Sequence, residues 1–135
     1  MPSLFTKIIN GEIPCHKILE DEKYLAFLDV RPINPGHTLV ITKQEIDYIF
    51  DVDDKLLSGL MLFAKKTARL IKKEINCKKI GIMVAGLEVP HVHIHLVPIM
   101  DVHDLNFAKA KSTPSEELAK VAERIRSHVK QLSGL

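Results

Sequence analysis

The chain has 135 residues, enough to bury the core of one compact domain and too few for two ordinary ones. Its 19 basic and 17 acidic residues give a formal net charge of +2, and lysine pairs such as Lys65-Lys66, Lys72-Lys73 and Lys78-Lys79 lie between apolar positions as a solvated face would. There is no concentrated basic stripe with interleaved aromatics, so a nucleic-acid polymer is not the expected partner.

In chain order, residues 3–9 can form a short helix with Leu4, Phe5, Ile8 and Ile9 on one side, ended by Asn10-Gly11 and Ile13-Pro14. This N-terminus lacks a charged start followed by a long apolar run. No later stretch approaches the roughly 18 apolar residues of a spanning helix, so neither export nor a membrane is expected. Cys15 and Cys77 have no close-spaced partners and read as two buried thiols in a reducing cytoplasm. Residues 16–20 and 23–29 read as a hairpin around Glu20-Asp21-Glu22. Arg31 to Gly36, with two prolines and a glycine, is loop chemistry, and His37 to Thr42 resumes as a buried strand.

A helical turn near 44–50 precedes the clearest helix, a broad apolar stripe over about 53–76 that includes Leu56, Leu60, Phe63, Ala64, Ile71 and Ile75. Lys79 to Ala85 reads as a strand, residues 86–90 link it to a last strand opening at His91, and residues 100–112 are irregular. Thr113 is the expected cap and Pro114 the first residue of a final helix reaching about 132, with Glu116 and Glu117 in its first turn. The expectation is one α+β domain over 1–135, its core about 3–107: a five-stranded, mostly antiparallel sheet with a long packed helix and a C-terminal helix.

The most informative stretch is His91-Val92-His93-Ile94-His95. In an extended strand all three rings project from one face, about 6.6 Å apart, while Val92, Ile94 and Leu96 turn to the core. A helix would scatter them. A row of imidazoles suits a small anionic group, and histidine serves as nucleophile, acid, base or metal ligand near neutral pH. Two chemistries remain open on this pattern. Strand histidines two apart can hold zinc with an open fourth position, which needs carboxylates to orient the rings; Asp101 and Asp104 follow, at a spacing that does not demand that role. Alternatively, a neutral imidazole attacks phosphorus and forms an adduct that water cleaves, while its neighbours bind phosphate oxygens and protonate the leaving group.

Four segments run in an order that resembles the histidine triad family of nucleotide hydrolases and transferases: Leu4 to Pro14, Ala26-Phe27-Leu28-Asp29-Val30, Pro35-Gly36-His37-Thr38-Leu39-Val40-Ile41, and Ala85-Gly86-Leu87-Glu88-Val89-Pro90 leading into His91 to His95. The resemblance covers about the first hundred residues. It implies His93 as the nucleophile toward the α-phosphorus of a purine nucleotide, with a nucleotidyl-histidine intermediate. It assigns His95 and His37 to proton movement and site shape, and His91 to holding phosphate and local geometry. Asp29 matches the residue that accepts hydrogen bonds from ribose hydroxyls, and Phe5, Ile8, Phe27, Val30 and Leu39, with Leu4 beside them, match the apolar wall around the base.

Many relatives have a glutamine after the Ala-Gly pair, where this chain has Leu87; the backbone N–H groups of Gly86, Glu88 and Val89 are left as anion donors. Glu88 would repel a phosphate unless it points away or meets a cationic leaving group. Some relatives also bind structural zinc through a Cys-x-x-Cys and a later histidine, positions that read Ser3, Thr6 and Glu45 here, so no zinc is expected. Asp104 to Phe107 resembles the tail that approaches the site. Cys15, Cys77, His16, His103 and His128 read as structural or surface residues. The implied function is metal-independent hydrolysis of purine nucleoside 5′-phosphoramidates or related conjugates by a cytoplasmic homodimer with no cofactor. A nucleotide-binding regulatory or scaffold protein and a metal-dependent hydrolase are the alternatives.

Overall fold

A computed structural model describes residues 1–131. Helix α1 (Leu4–Ile9) leads into a hairpin of β1 (Lys17–Glu20) and β2 (Tyr24–Leu28), then β3 (Thr38–Thr42), a 3-10 turn at Ile49–Asp51, and α2 (Asp54–Glu74). Strands β4 (Lys79–Met83) and β5 (His93–Ile99) follow, then 3-10 turns at Val102–Asp104 and Phe107–Lys109, α3 (Ser115–Arg126) and a last turn at Val129–Gln131. The five strands form one sheet in the order β1-β2-β3-β5-β4, with every neighbouring pair antiparallel. This is the α+β architecture expected from the sequence.

The period-2 alternation sorts side chains to two faces of the sheet. Tyr24, Ala26 and Leu28 from β2, Val40 from β3 and Ile94 and Leu96 from β5 pack with Leu60, Phe63, Ala64, Leu70 and Ile71 of α2 and with Leu118, Val121 and Ile125 of α3. Helix α2 comes close where Gly59 sits: a Cβ there would lie 2.0 Å from the Tyr24 hydroxyl, which donates to the Leu56 carbonyl. The opposite face carries Leu25, Phe27, Leu39 and Ile41 against Phe5, Ile8, Ile9, Cys15 and Val89. His93 stands opposite Ile41 and His95 opposite Leu39 on that second face.

Several boundaries differ from expectation for local reasons. The histidine strand begins at His93 rather than His91, because the Val92 N–H is spent on the Ile46 carbonyl and His91 N–H on Val89, outside the ladder. The helical turn near 44–50 is a 3-10 turn three residues long at Ile49–Asp51, and β4 stops at Met83. Thr113 does not cap α3: its N–H bonds to the Val30 carbonyl and its hydroxyl to Lys111, and Pro114, at ψ 141°, takes the cap position itself. That helix ends at Arg126, where Ser127 closes it; residue 132, the expected end, lies outside the described residues. Both cysteines are half-buried rather than buried. Among the described residues no helix is long and apolar enough to cross a membrane.

Candidate active site

Two glycines with left-handed backbone deliver the site. Gly36 (φ +92°) turns the Pro35-Gly36 corner so that His37 enters the face opposite α2, and a Cβ there would also meet Ile75 at 2.8 Å. Gly86 (φ +77°) turns the loop between β4 and β5, with open space around it, so its requirement is conformational alone. All four histidines named from the sequence converge, and all are buried, with His91 fully inaccessible and His95 the most open at 7 %. The His93 and His95 rings are 5.0 Å apart, closer than the strand rise suggests because they tilt toward each other.

The hydrogen bonds fix which nitrogen of each ring carries the proton when the ring holds one. His93 Nδ1 lies 2.7 Å from the His91 carbonyl, which only accepts, so Nδ1 is protonated and the His93 Nε2 lone pair is free. His37 Nδ1 accepts the Ile33 N–H at 3.0 Å, which puts the His37 proton on Nε2, 2.9 Å from His95 Nδ1. His95 Nδ1 is therefore the acceptor, and its proton sits on Nε2. One ring thus offers a lone pair and its neighbour an N–H, with no metal needed to set either state.

His91 belongs to a different network. Its Nε2 donates to the Thr42 carbonyl at 2.6 Å and its Nδ1 lies 2.7 Å from the Ser3 hydroxyl. Ser3 caps α1 by accepting the Thr6 N–H at 3.0 Å, while Glu45 accepts both the Ser3 N–H and the Thr6 hydroxyl at 2.6 Å. Those two bonds, the Thr6 hydroxyl foremost, hold the Glu45 carboxyl down to about 2. Ser3, Thr6 and Glu45 are the positions where some relatives place zinc ligands. They converge on His91 here, yet the Glu45 carboxylate is the one zinc ligand they add; two neutral hydroxyls and an imidazole nitrogen already bonded to one of them do not complete a zinc site.

Asp29 lies at the end of β2, its carboxylate 3.6 Å from His37 Nε2 and accepting the Arg31 N–H at 2.9 Å. Burial pushes its carboxyl up from the ordinary value, against the Arg31 N–H and His93, which lower it. Phe5, Ile8, Phe27, Leu39 and Val89 form one apolar cluster beside the histidines, with the Phe5 ring edge-on to His93 at 5.0 Å. Leu4 and Val30 stand outside that cluster, 47 % and 59 % exposed, as an apolar lip. Gly86, Leu87 and Glu88 line a small cavity of about 130 Å³ with Ala85, His93, His95 and Phe107. It has room for a phosphate and the start of a leaving group, whereas whole-ligand pockets run to ~300 Å³ or more. Phe107, whose ring packs edge-on to His95 at 4.8 Å, is the site residue that the residue-by-residue reading left out. The resemblance of the 104–107 tail was the signal that could have found it. His16, His103 and His128 lie away from the site, near Ser115, Asp101 and Glu74 respectively.

Burial dominates the titration of the rings. Desolvation pushes His37 down to about 4 and His95 to about 3, with the charges of His37 and His93 adding to the shift at His95. His91 is also lowered, burial outweighing its bond to Thr42 and the nearby Glu45. In the unfolded chain each histidine titrates near 6.5. As pH falls, the unfolded chain gains protons first, so stability fully present above about 6.5 is lost progressively down to the folded values; Asp29 opposes this weakly. Denaturant unfolding at pH 5 should therefore give a stability lower than at pH 7 by at least about 1 kcal/mol. A flat profile would contradict buried neutral rings.

The site is a set of buried rings on an antiparallel sheet, one with its lone pair free and its neighbour with an N–H, beside a phosphate-sized cavity. The HIT domain model matches residues 10–102. A HIT-like protein of Methanocaldococcus jannaschii is 39% identical over 123 residues, 87% of this chain and 95% of its own. An adenosine 5′-monophosphoramidase of Saccharomyces cerevisiae is 38% identical over 99 residues, 73% of this chain and 63% of its own. Among solved structures, a Hit-like protein from Bartonella henselae described as involved in cell-cycle regulation superposes with a TM-score of 0.82 at 33% identity, covering 93% of this chain and 94% of that one. The chain belongs to the HIT family.

Proposed function

We propose that the protein hydrolyses purine nucleoside 5′-phosphoramidates or related nucleotide conjugates through a nucleotidyl-histidine intermediate. The observation that carries this reading is the complementary pair of tautomers at His93 and His95, set by the His91 carbonyl and by His37. The leaving nitrogen takes a proton from solvent, the His93 Nε2 lone pair attacks the α-phosphorus and the P–N bond breaks to release the amine, while His95 Nε2–H donates a hydrogen bond to a phosphoryl oxygen. Water then attacks phosphorus, breaks the P–Nε2 bond and yields a proton to solvent as the nucleoside monophosphate leaves, so both imidazoles return to their starting states. Asp29 accepts from the ribose hydroxyls, the Phe5–Phe27–Leu39 wall with Ile8, Leu4 and Val30 holds the base, and the N–H groups of Gly86, Glu88 and Val89 receive phosphate oxygens. The activity of the yeast relative makes adenosine 5′-phosphoramidate the substrate to try first.

A second reading has its own observation: one ligand atom each of Asp29, His37 and His95 lie within 4.8 Å of one another, a spacing a metal ion would accept. Incubation with adenosine 5′-phosphoramidate, with and without chelator, separates the readings. Chelator-resistant release of the nucleoside monophosphate is expected; chelator-sensitive release favours the metal, and nucleotide binding without turnover favours a regulatory or scaffold protein.

We further propose a homodimer through the free edge of β4. Arg126 donates to the Lys17 carbonyl beside β1 and α3 packs there, so that edge is partly covered. Among the described residues strand β4 pairs only with β5, and its Ile82, with Val84, Met61 and Leu62 nearby, is exposed. An open strand edge flanked by apolar side chains is self-complementary across a two-fold axis. Sedimentation should give two chains per particle, and Ile82→Glu with Leu62→Glu should give one; a single-chain wild-type particle at micromolar concentration would contradict this.

A further inference from the structure

We infer that Ser3, backed by Glu45, is a positioning residue for the nucleophile, acting through His91 at a distance of 88 positions in sequence. The inference rests on the phosphoramidate reading above for its kinetic consequence, though its structural part stands alone. The carbonyl that holds the His93 Nδ1 proton belongs to His91, and His91 lies outside the β5 ladder, so sheet hydrogen bonds do not fix that peptide. Two things hold it: the Val92 N–H of the same peptide bonds to the Ile46 carbonyl at 2.7 Å, and on the other side the fully buried His91 ring is held between the Thr42 carbonyl at 2.6 Å and the Ser3 hydroxyl at 2.7 Å. The carbonyl demands a proton on Nε2, which leaves Nδ1 as an acceptor for the Ser3 O–H.

Ser3 has two acceptors within reach, His91 Nδ1 at 2.7 Å and the Thr6 hydroxyl at 3.3 Å, and the shorter contact takes its proton. Glu45 keeps the arrangement in place. It clamps the Ser3 backbone N–H and takes the Thr6 proton, so Thr6 has none to give to Ser3. The donors are thereby ordered: Ser3 O–H to His91 Nδ1, His91 Nε2–H to Thr42, and His93 Nδ1–H to the His91 carbonyl. The first two hold the His91 ring in one tautomer and place, and the third leaves the attacking lone pair on His93 Nε2. A residue at the N-terminal end of the described chain thus helps to position the carbonyl that aims the reacting ring.

The test is Ser3→Ala, read by nitrogen NMR of the imidazoles and by steady-state kinetics on adenosine 5′-phosphoramidate, with Ser3→Thr as the conservative rescue. In the wild type His91 should show a single Nε2–H tautomer and His93 a single Nδ1–H tautomer. In Ser3→Ala, His91 should keep its Nε2–H tautomer, its Nδ1 resonance should move to that of an acceptor with no bonded hydroxyl, and kcat should fall about tenfold with KM changed less than about twofold, the scale of one lost hydrogen bond. Ser3→Thr should restore both. Because Ser3 also caps α1, Glu45→Gln, a change at an exposed residue, serves where Ser3→Ala lowers the melting temperature; it should shift the His91 spectrum the same way and lower kcat about threefold. A wild-type His91 Nδ1 resonance and a wild-type kcat in Ser3→Ala or Glu45→Gln overturn the inference. Failure of the phosphoramidate reading looks different: the wild type would show no turnover, while the NMR arm would still decide whether Ser3 orders the rings.

Discussion

His93→Ala should lower turnover of adenosine 5′-phosphoramidate by at least about 10⁴-fold, the scale on which removing a nucleophile acts when its partners have nothing to assist. The ring is held from three sides. Its Nδ1 donates to the His91 carbonyl, Phe5 meets it edge-on, and His95 lies 5.0 Å away, so the Nε2 lone pair is aimed without cost at the moment of reaction. Nucleotide affinity should change by less than about threefold, because Asp29 and the apolar wall are untouched. Equilibrium binding of the nucleoside monophosphate checks this second half. The ring is 4 % exposed, and its loss opens a cavity of its own shape beside Phe5. Imidazole added to the His93→Ala protein should accordingly restore part of the activity. Retention of more than a tenth of wild-type turnover would contradict a nucleophile at position 93.

His95→Ala should have an effect that depends on the leaving group. An amine is the poorer leaving group, so its departure leans on the His95 Nε2–H bond to the phosphoryl oxygen, and for that substrate the loss should be about 10²–10³-fold. A nucleotide ester of an acidic phenol departs as a stable anion and needs less help, so with that substrate the loss should stay below about tenfold. His37 stands behind this step. By donating to His95 Nδ1 at 2.9 Å it forces the His95 proton to the other nitrogen, so His37→Ala should repeat the leaving-group pattern in milder form. Equal slowing of both substrates would contradict this role for His95.

How much of this was legible in the sequence depends on the range of the interactions involved. The period-2 alternation placed Val92, Ile94 and Leu96 on the α2 side and His93 and His95 on the other, and the sheet pairing carries Leu39 and Ile41 to the same face. Such patterns are local and survive in one dimension. The alternation continues smoothly through His91, however, and says nothing about where pairing stops. That is decided by Val92 N–H turning to Ile46, a contact with no sequence signature. The same holds for Thr113: a good capping residue by type, it is overruled because its hydroxyl turns to the Lys111 carbonyl while its N–H is held by Val30 across the fold. The resemblance supplied Asp29 and His37, whose residue types alone read as turn and strand-start. It marked Ser3, Thr6 and Glu45 only as missing zinc ligands. Their convergence on His91 as a hydrogen-bonded cluster spans 39 to 88 positions and is written only in three dimensions. Phe107 was hidden for the same reason, an aromatic in an irregular segment that packs on His95 from the chain's far end.

The most direct measurement is rapid acid quench of the protein during turnover of an adenosine 5′-phosphoramidate, followed by mass analysis of the peptide that contains residues 91–95. A nucleotidyl adduct on His93, appearing within the first turnover, decaying as substrate is exhausted and absent from His93→Ala, is the expected result. Full turnover with that peptide unmodified at every time point, or with the adduct on His91 or His95 instead, would contradict attack by His93.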